Sequence, residues 1–315
     1  RAAPGCAVHA RTGEPEQLGC PLAPPVIRFG AYLRMTGTSP FGEGFFFFAN
    51  FTYIAYNDSL NRDERLCAMK ISACYIVKDE ADELRRSLAS VRQAADEIIV
   101  VSTSGSSEVA RAADEFCARI YDFPWQNDFA LARNYALEQC TGDLVIFLDA
   151  DEYFFYPNSL RDGIEGIVSA NPTFDIIMIS LCNFMTENSF ADAMYLWSPR
   201  ILRMPGLHYE GMIHEQVIRN DRAERILVYG DERLAAGHTG YLTERGEEKI
   251  RRNIAMLERD AALHGWKAMH AFYLADCYFG LKDYAKTLEF SKAALQEDVV
   301  FIGEESKVYH QMIES

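Results

Sequence analysis

From residue 69 onward, short uninterrupted apolar runs alternate with longer stretches whose apolar positions recur at helical spacing. Residues 71–77 read as a strand covered on both faces, because a strand with one wet face would alternate with polar residues. The next stretch puts Leu84, Leu88 and Val91 on one helical face, and residues 97–101 form a second apolar run, so the three together predict a βαβ unit. A helix near 108–116, a short strand at 119–122, a helix over about 128–140 and a strand ending at Asp149 continue the alternation. Right-handed crossovers then give an α/β fold, a mostly parallel sheet with helices on both faces. After Phe174 the runs 175–181, 195–202 and 225–229 predict a mixed extension of that sheet.

The last third changes period. Residues 243–263 predict a charged amphipathic helix, and 268–280 and 284–295 predict two helices around the turn 281–283, with a further helix beginning within 303–315. At the other end, Pro, Gly and Arg recur without period through residues 1–68, and the run Phe45 to Phe48 follows a turn-rich stretch. The apolar segment 45–56 contains Asn50 and falls well short of the roughly 20 residues of a membrane span. The expected organisation is an N-terminal extension over 1–68, either an accessory segment or sequence upstream of the natural start; an α/β domain over 69–242; and an all-α region over 243–315, expected to stop short of a complete array.

Composition narrows the partners. The 315 residues are 49% apolar and 24% charged, which excludes disorder of the whole chain. With 31 basic against 46 acidic residues the formal charge is −15, which argues against general binding to nucleic acid or anionic membranes and for a small ligand or a protein. Eight cysteines are scattered without Cys-x-x-Cys pairs or metal-ligand spacing, the pattern of buried thiols in a reducing cytoplasm. No secretory signal is evident.

The chemistry gathers at residues 143–152, where an apolar run stops on two aspartates one residue apart, Asp149 and Asp151. Ligands of open α/β sheets collect at the carboxyl ends of the strands. Two carboxylates there can share a divalent cation that grips nucleotide phosphates, the logic of a DxD site, although aspartate also caps strand-ending turns.

Six segments taken together resemble the family 2 glycosyltransferases of GT-A fold, in the bacterial branch with tetratricopeptide repeats behind the catalytic domain. They are residues 71–80 (Ile-Ser-Ala-Cys-Tyr-Ile-Val-Lys-Asp-Glu), 96–101, 123–134 (Phe-Pro-Trp-Gln-Asn-Asp-Phe-Ala-Leu-Ala-Arg-Asn), 147–152, 211–215 (Gly-Met-Ile-His-Glu) and 237–241. In the helical region Ala271, Tyr273, Leu274, Ala275, Tyr278, Leu281, Tyr284 and Ala293 resemble one tetratricopeptide unit; a bare helical hairpin is the alternative. The resemblance implies a Rossmann-like GT-A domain that transfers a sugar with inversion from a nucleotide-diphosphate donor, expected to be a UDP-sugar. The acceptor would be a hydroxyl or thiol of a peptide, protein, lipid or glycan, and Mn²⁺ or Mg²⁺ would assist. The helical region is then a candidate homodimer surface. One departure stands out: members usually carry an aspartate directly after the second strand, where this chain has Ser102 in the run Ser-Thr-Ser-Gly-Ser-Ser.

On this resemblance Asp151, Asp149 and His238 are the expected metal group, with Asp149 also able to hold ribose and His238 equally able to be a hydrogen-bonded structural histidine. Asp79, Ser102, Arg133 and Asn134 are expected on the donor, with a helix cap at Asp79 and a surface pair at Arg133 and Asn134 as the alternatives. Trp125 and His214 are expected on the acceptor side; Trp125 could equally pack its loop against the sheet. Glu215 is the expected general base, against an ion-paired glutamate, with Glu187 next in line. Two other readings stay open: a noncatalytic protein-binding scaffold with a degenerate nucleotide-sugar site, which Ser102 favours, and a sugar-phosphate nucleotidyltransferase, which lacks its Gly-rich loop here.

Overall fold

The computed structural model describes residues 29–34, 38–39, 42–43, 48–52, 69–184, 190, 193–221, 225–240, 246–296 and 305–315; Glu187 and most of residues 1–68 lie outside these. β1 (Phe29–Arg34) and β4 (Phe48–Thr52) pair antiparallel, and β2 (Thr38–Ser39) with β3 (Gly42–Glu43) makes a small separate ladder. Then follow β5 (Ile71–Val77), α1 (Ala81–Val91), β6 (Glu97–Ser102), α2 (Ser107–Glu115), β7 (Arg119–Asp122), α3 (Phe129–Glu138) and β8 (Leu144–Asp149). β9 (Glu152–Phe154), α4 (Leu160–Ala170), β10 (Ile176–Asn183) and β11 (Met194–Arg203) lead to the hairpin β12 (Leu207–Glu210) and β13 (Gln216–Arg219), and to the long β14 (Arg225–His238). Four helices end the chain: α5 (Gly246–His264), α6 (Ala268–Gly280), α7 (Tyr284–Gln296) and α8 (Glu305–Glu314).

The main sheet runs β4-β1-β14-β10-β11-β8-β5-β6-β7, with β9 on β14. β8, β5, β6 and β7 are parallel, the expected core. β11 then enters antiparallel between β8 and β10, and β10 and β14 are parallel to each other, so the sheet is mixed beyond β8. Part of the N-terminal segment lies on this sheet, since β1 pairs with Arg225 to Gly230 of β14.

Period-two alternation sorts the strand residues into two layers. Tyr75, Val100, Ile146 and Leu148 face α1, α2 and α4 through Leu84, Leu88, Val109 and Ile164, all essentially without exposure. Cys74, Ile99, Val145 and Phe147 face the other way, against Ala136 and Leu137 of α3 and against Leu207, Tyr209 and Val217 of the hairpin. Each such buried aliphatic or aromatic side chain contributes about 1.5–3 kcal/mol. α3 starts where it does because Asp128 caps it, its Oδ1 accepting the Leu131 amide at 2.9 Å.

The topological switch point lies at β5, whose neighbours β6 and β8 sit on opposite sides. Ser102, Asp79 and Asp149 therefore share one carboxyl edge, with Val77 paired to Ser102 and Ile76 to Asp149. α5 and α6 pack beside that edge, and a β-carbon on Gly280 would lie 2.8 Å from Ile250, so the two helices approach at a residue that has no side chain. Among the described residues no helix is long and apolar enough to cross a membrane.

Candidate active site

β8 delivers Asp149 with both oxygens engaged: Oδ1 accepts from Arg133 Nη2 at 2.8 Å and Oδ2 from Arg200 Nη2 at 3.3 Å. Burial pushes this carboxyl up, but the two guanidiniums outweigh it and hold it below the usual carboxylate range. Arg200 also grips the buried Glu152 with two bonds, at 2.7 and 2.6 Å, and burial raises the Glu152 carboxyl. On the other side Arg133 donates through Nε to Glu215. The result is a line of alternating charge, Glu215, Arg133, Asp149, Arg200 and Glu152, running through the site. Arg133 lies over the rings of Phe147 and Tyr209, at 4.8 and 5.5 Å, and its buried Nη1 has no hydrogen-bond partner.

A second group faces this line. Asn183 donates through Nδ2 to the Met194 carbonyl, so its Oδ1 accepts from Nδ1 of His238, at 2.6 Å. That tautomer turns His238 Nε2 toward Asp151 Oδ2 at 3.3 Å. A bare imidazole nitrogen against a carboxylate oxygen requires a positive charge between them. In the chain alone a proton serves: burial lowers the His238 pKa, but Asp151, Glu152 and Asp149 raise it further, for a net increase. A divalent cation fits equally, since two ligand atoms at about 2.1 Å in cis positions stand about 3 Å apart. Gly240 keeps the space open; a β-carbon there would lie 2.6 Å from His238 Nε2 and closer still to Asp151 Oδ2. Among the described residues no cluster of three or more His, Cys, Asp or Glu side chains forms a complete cage, so the remaining ligands would be phosphate and water.

Residues 72–198 match the family model of glycosyl transferase family 2. This stretch of the chain is similar to the family 2 glycosyltransferases. The SPbeta prophage-derived glycosyltransferase SunS of Bacillus subtilis is 25% identical over 202 residues, 60% of this chain and 44% of that protein. An uncharacterized glycosyltransferase of Rickettsia felis is 31% identical over 102 residues, 32% of this chain and 35% of its own length. A TPR repeat-containing protein of Synechococcus elongatus is 43% identical over 83 residues, 26% of this chain and 21% of that protein. The chain thus spans less than half the length of these relatives. The crystal structure of Staphylococcus aureus TarS 1-349 aligns with a TM-score of 0.43 at 14% identity, covering 78% of this chain and 79% of that one.

The fold brings Asp149, Asp151, Arg133, Glu215 and His238 together. Asp149 is held by two arginines, one on each oxygen, whereas Asp151 Oδ2 and His238 Nε2 face each other at 3.3 Å. Glu215 is ion-paired with Arg133, its side chain 12% exposed. Asn134 is committed to backbone: its Nδ2 donates to the Tyr209 carbonyl at 2.8 Å and its Oδ1 accepts the Tyr209 amide at 2.7 Å, pinning the hairpin onto α3. Trp125 packs edge-on against Phe129 at 4.7 Å, in the apolar seam under α5 and α6, and His214 stacks on Tyr273 of α6. Ser102 is buried, and its hydroxyl accepts the Gly105 amide at 3.0 Å, closing the turn. Asp79 accepts from Ser104 Oγ at 2.9 Å at the exposed strand edge and does not cap α1.

Sequence reasoning missed Arg200, Glu152 as its partner, Asn183 and Arg86. Arg86 of α1 donates to Thr239 Oγ1 at 2.7 Å and lies 4.4 Å above the Tyr153 ring, beside the His238 group. Glu152 follows the DxD run directly and carried a signal. Arg200 sits on a strand 48 residues away from it and carried none.

Proposed function

We propose that the chain is an inverting glycosyltransferase that moves a sugar from a UDP-linked donor to an acceptor hydroxyl or thiol on a peptide, protein, lipid or glycan. The observation that carries this is the Asp151 and His238 pair facing each other across Gly240 at the carboxyl end of β8. Asp151 and His238 would hold Mn²⁺ or Mg²⁺, which supplies charge stabilisation for the departing diphosphate. Arg133 keeps a buried donor, Nη1, for an oxygen of the bound nucleotide, and its place is fixed by Asp149 and Glu215. Asp79 and Ser102 lie on the same edge, where the base would rest, with the Ser102 hydroxyl offering no charge. The net charge of −15 and the thiol state of Cys74, Cys117, Cys140, Cys182 and Cys277 suit a cytoplasmic enzyme that does not bind nucleic acid.

The competing reading, a protein-binding scaffold with a degenerate donor site, draws on Ser102. A panel of nucleotide sugars incubated with the purified protein and Mn²⁺ separates the two. Metal-dependent release of nucleoside diphosphate from one of them is expected, and the absence of release from every sugar, together with no UDP binding, would favour the scaffold.

A further inference from the structure

We infer that the helical region is a working part of the site, with Tyr273 of α6 as a positioning residue for segment 211–215, through which Glu215 reaches Arg133. This rests on reading Arg133, Asp149 and Glu215 as site residues. His214 has φ of 54°, in the left-handed region, which a residue with a β-carbon adopts when its surroundings hold it there. What holds it is the Tyr273 ring, 3.6 Å away and parallel to the imidazole within 4°. The residue that leaves this turn is Glu215.

Two further contacts from the helices grip the same five residues. The buried carboxylate of Asp260 on α5 faces the Met212 backbone and accepts from His270 Nε2 at 2.8 Å. His270 accepts the Lys267 amide on Nδ1, at 2.9 Å, so its proton stands on Nε2 and points at Asp260. Met212 and Ile213 also enter the apolar cluster of Met256, Leu257, Leu274 and Tyr278. On its far side the segment is tied to the start of α3, since the Phe129 amide donates to the Met212 carbonyl at 2.9 Å, and α3 carries Arg133. Helices serving solely as a docking platform would have no need to fix the backbone one residue ahead of a buried ion pair.

Hydrogen exchange of the 211–215 amides in the full chain tests this without reference to catalysis. Tyr273→Leu, which removes the ring, should speed exchange at these amides by about tenfold or more while the amides inside α5 and α6 stay protected. Tyr273→Phe, which keeps the ring, should match the wild type. Mn²⁺-dependent hydrolysis of UDP-glucose should fall in the Leu variant and recover in the Phe variant. Unchanged exchange in Tyr273→Leu overturns the positioning role whatever the activity. Absence of hydrolysis in every variant, wild type included, overturns the enzymatic reading alone, and the exchange result still decides the positioning. If Tyr273→Leu fails to fold, His214→Gly relaxes the same turn and removes the other ring; faster exchange supports the inference and unchanged exchange overturns it.

Discussion

Arg133 donates through Nε to Glu215, 82 residues further along the chain, and both side chains are largely buried. A buried arginine needs its counter-charge, and removing one partner of such a pair costs about 3–5 kcal/mol. Glu215→Gln keeps an acceptor oxygen, so the expected loss is nearer 2 kcal/mol, a fall of roughly 4–8 °C in melting temperature. Donor affinity should fall with it, because Arg133 loses its fixed position. Calorimetry and UDP titration of the variant check both. A rate lowered roughly 10²–10⁴-fold with stability and donor affinity unchanged would instead make Glu215 an unpaired general base.

Gly240→Ala tests the space between Asp151 and His238. A β-carbon would stand 2.6 Å from His238 Nε2, so one of the two side chains must turn away. Mn²⁺ affinity measured in the presence of UDP should drop about tenfold or more, equivalent to at least about 1.4 kcal/mol, while the far-ultraviolet circular dichroism stays that of the wild type. Unaltered affinity would show that the cation, if bound, sits elsewhere.

Much of the frame was legible because the parallel core writes itself as continuous apolar runs. The expected strand 71–77 and helix 268–280 coincide with β5 and α6, and the expected helix over 128–140 contains α3. β14 runs to His238, well past the expected 229, because its second half has the small residues Ala235, Ala236 and Gly237 in place of an apolar run. α4 was missed for a related reason: Gly163 and Gly166 interrupt its helical pattern, and burial of Leu160, Ile164 and Ile167 supplies what propensity lacks. Within the site, the residues that terminate β8 were readable from the strand end. Arg200 and Asn183 were not, since they reach the site through the pairing of β10 and β11, a tertiary arrangement with no local pattern.

At the amino ends of the strands, Glu97 joins β5, β6 and the loop before β8. Its carboxylate accepts from Ser72 Oγ at 2.5 Å, the Thr141 amide at 2.6 Å and Lys70 Nζ at 3.0 Å. Burial raises its pKa, but these bonds prevail and bring it down to about 2. A depressed carboxyl stabilises the fold above its unfolded pKa of about 4.3, and that contribution is lost as pH falls toward the folded value. The melting temperature of Glu97→Gln should therefore lie furthest below wild type above pH ~5, by the equivalent of about 2 kcal/mol, and the gap should close between about pH 4 and 2. A gap that does not change with pH would assign the loss to packing alone.

The cation site is tested most directly by titrating Mn²⁺ into the protein with UDP present and following the signal of the free hexa-aquo ion by electron paramagnetic resonance. The wild type should bind one Mn²⁺, and Asp151→Ala and His238→Ala should each weaken it by about 10–100-fold or more, the scale on which losing even a residue that supports a ligand is felt. Both variants should keep the wild-type circular dichroism. Binding of equal strength in the wild type and in both variants would contradict the assignment of Asp151 and His238 as the residues that hold the metal.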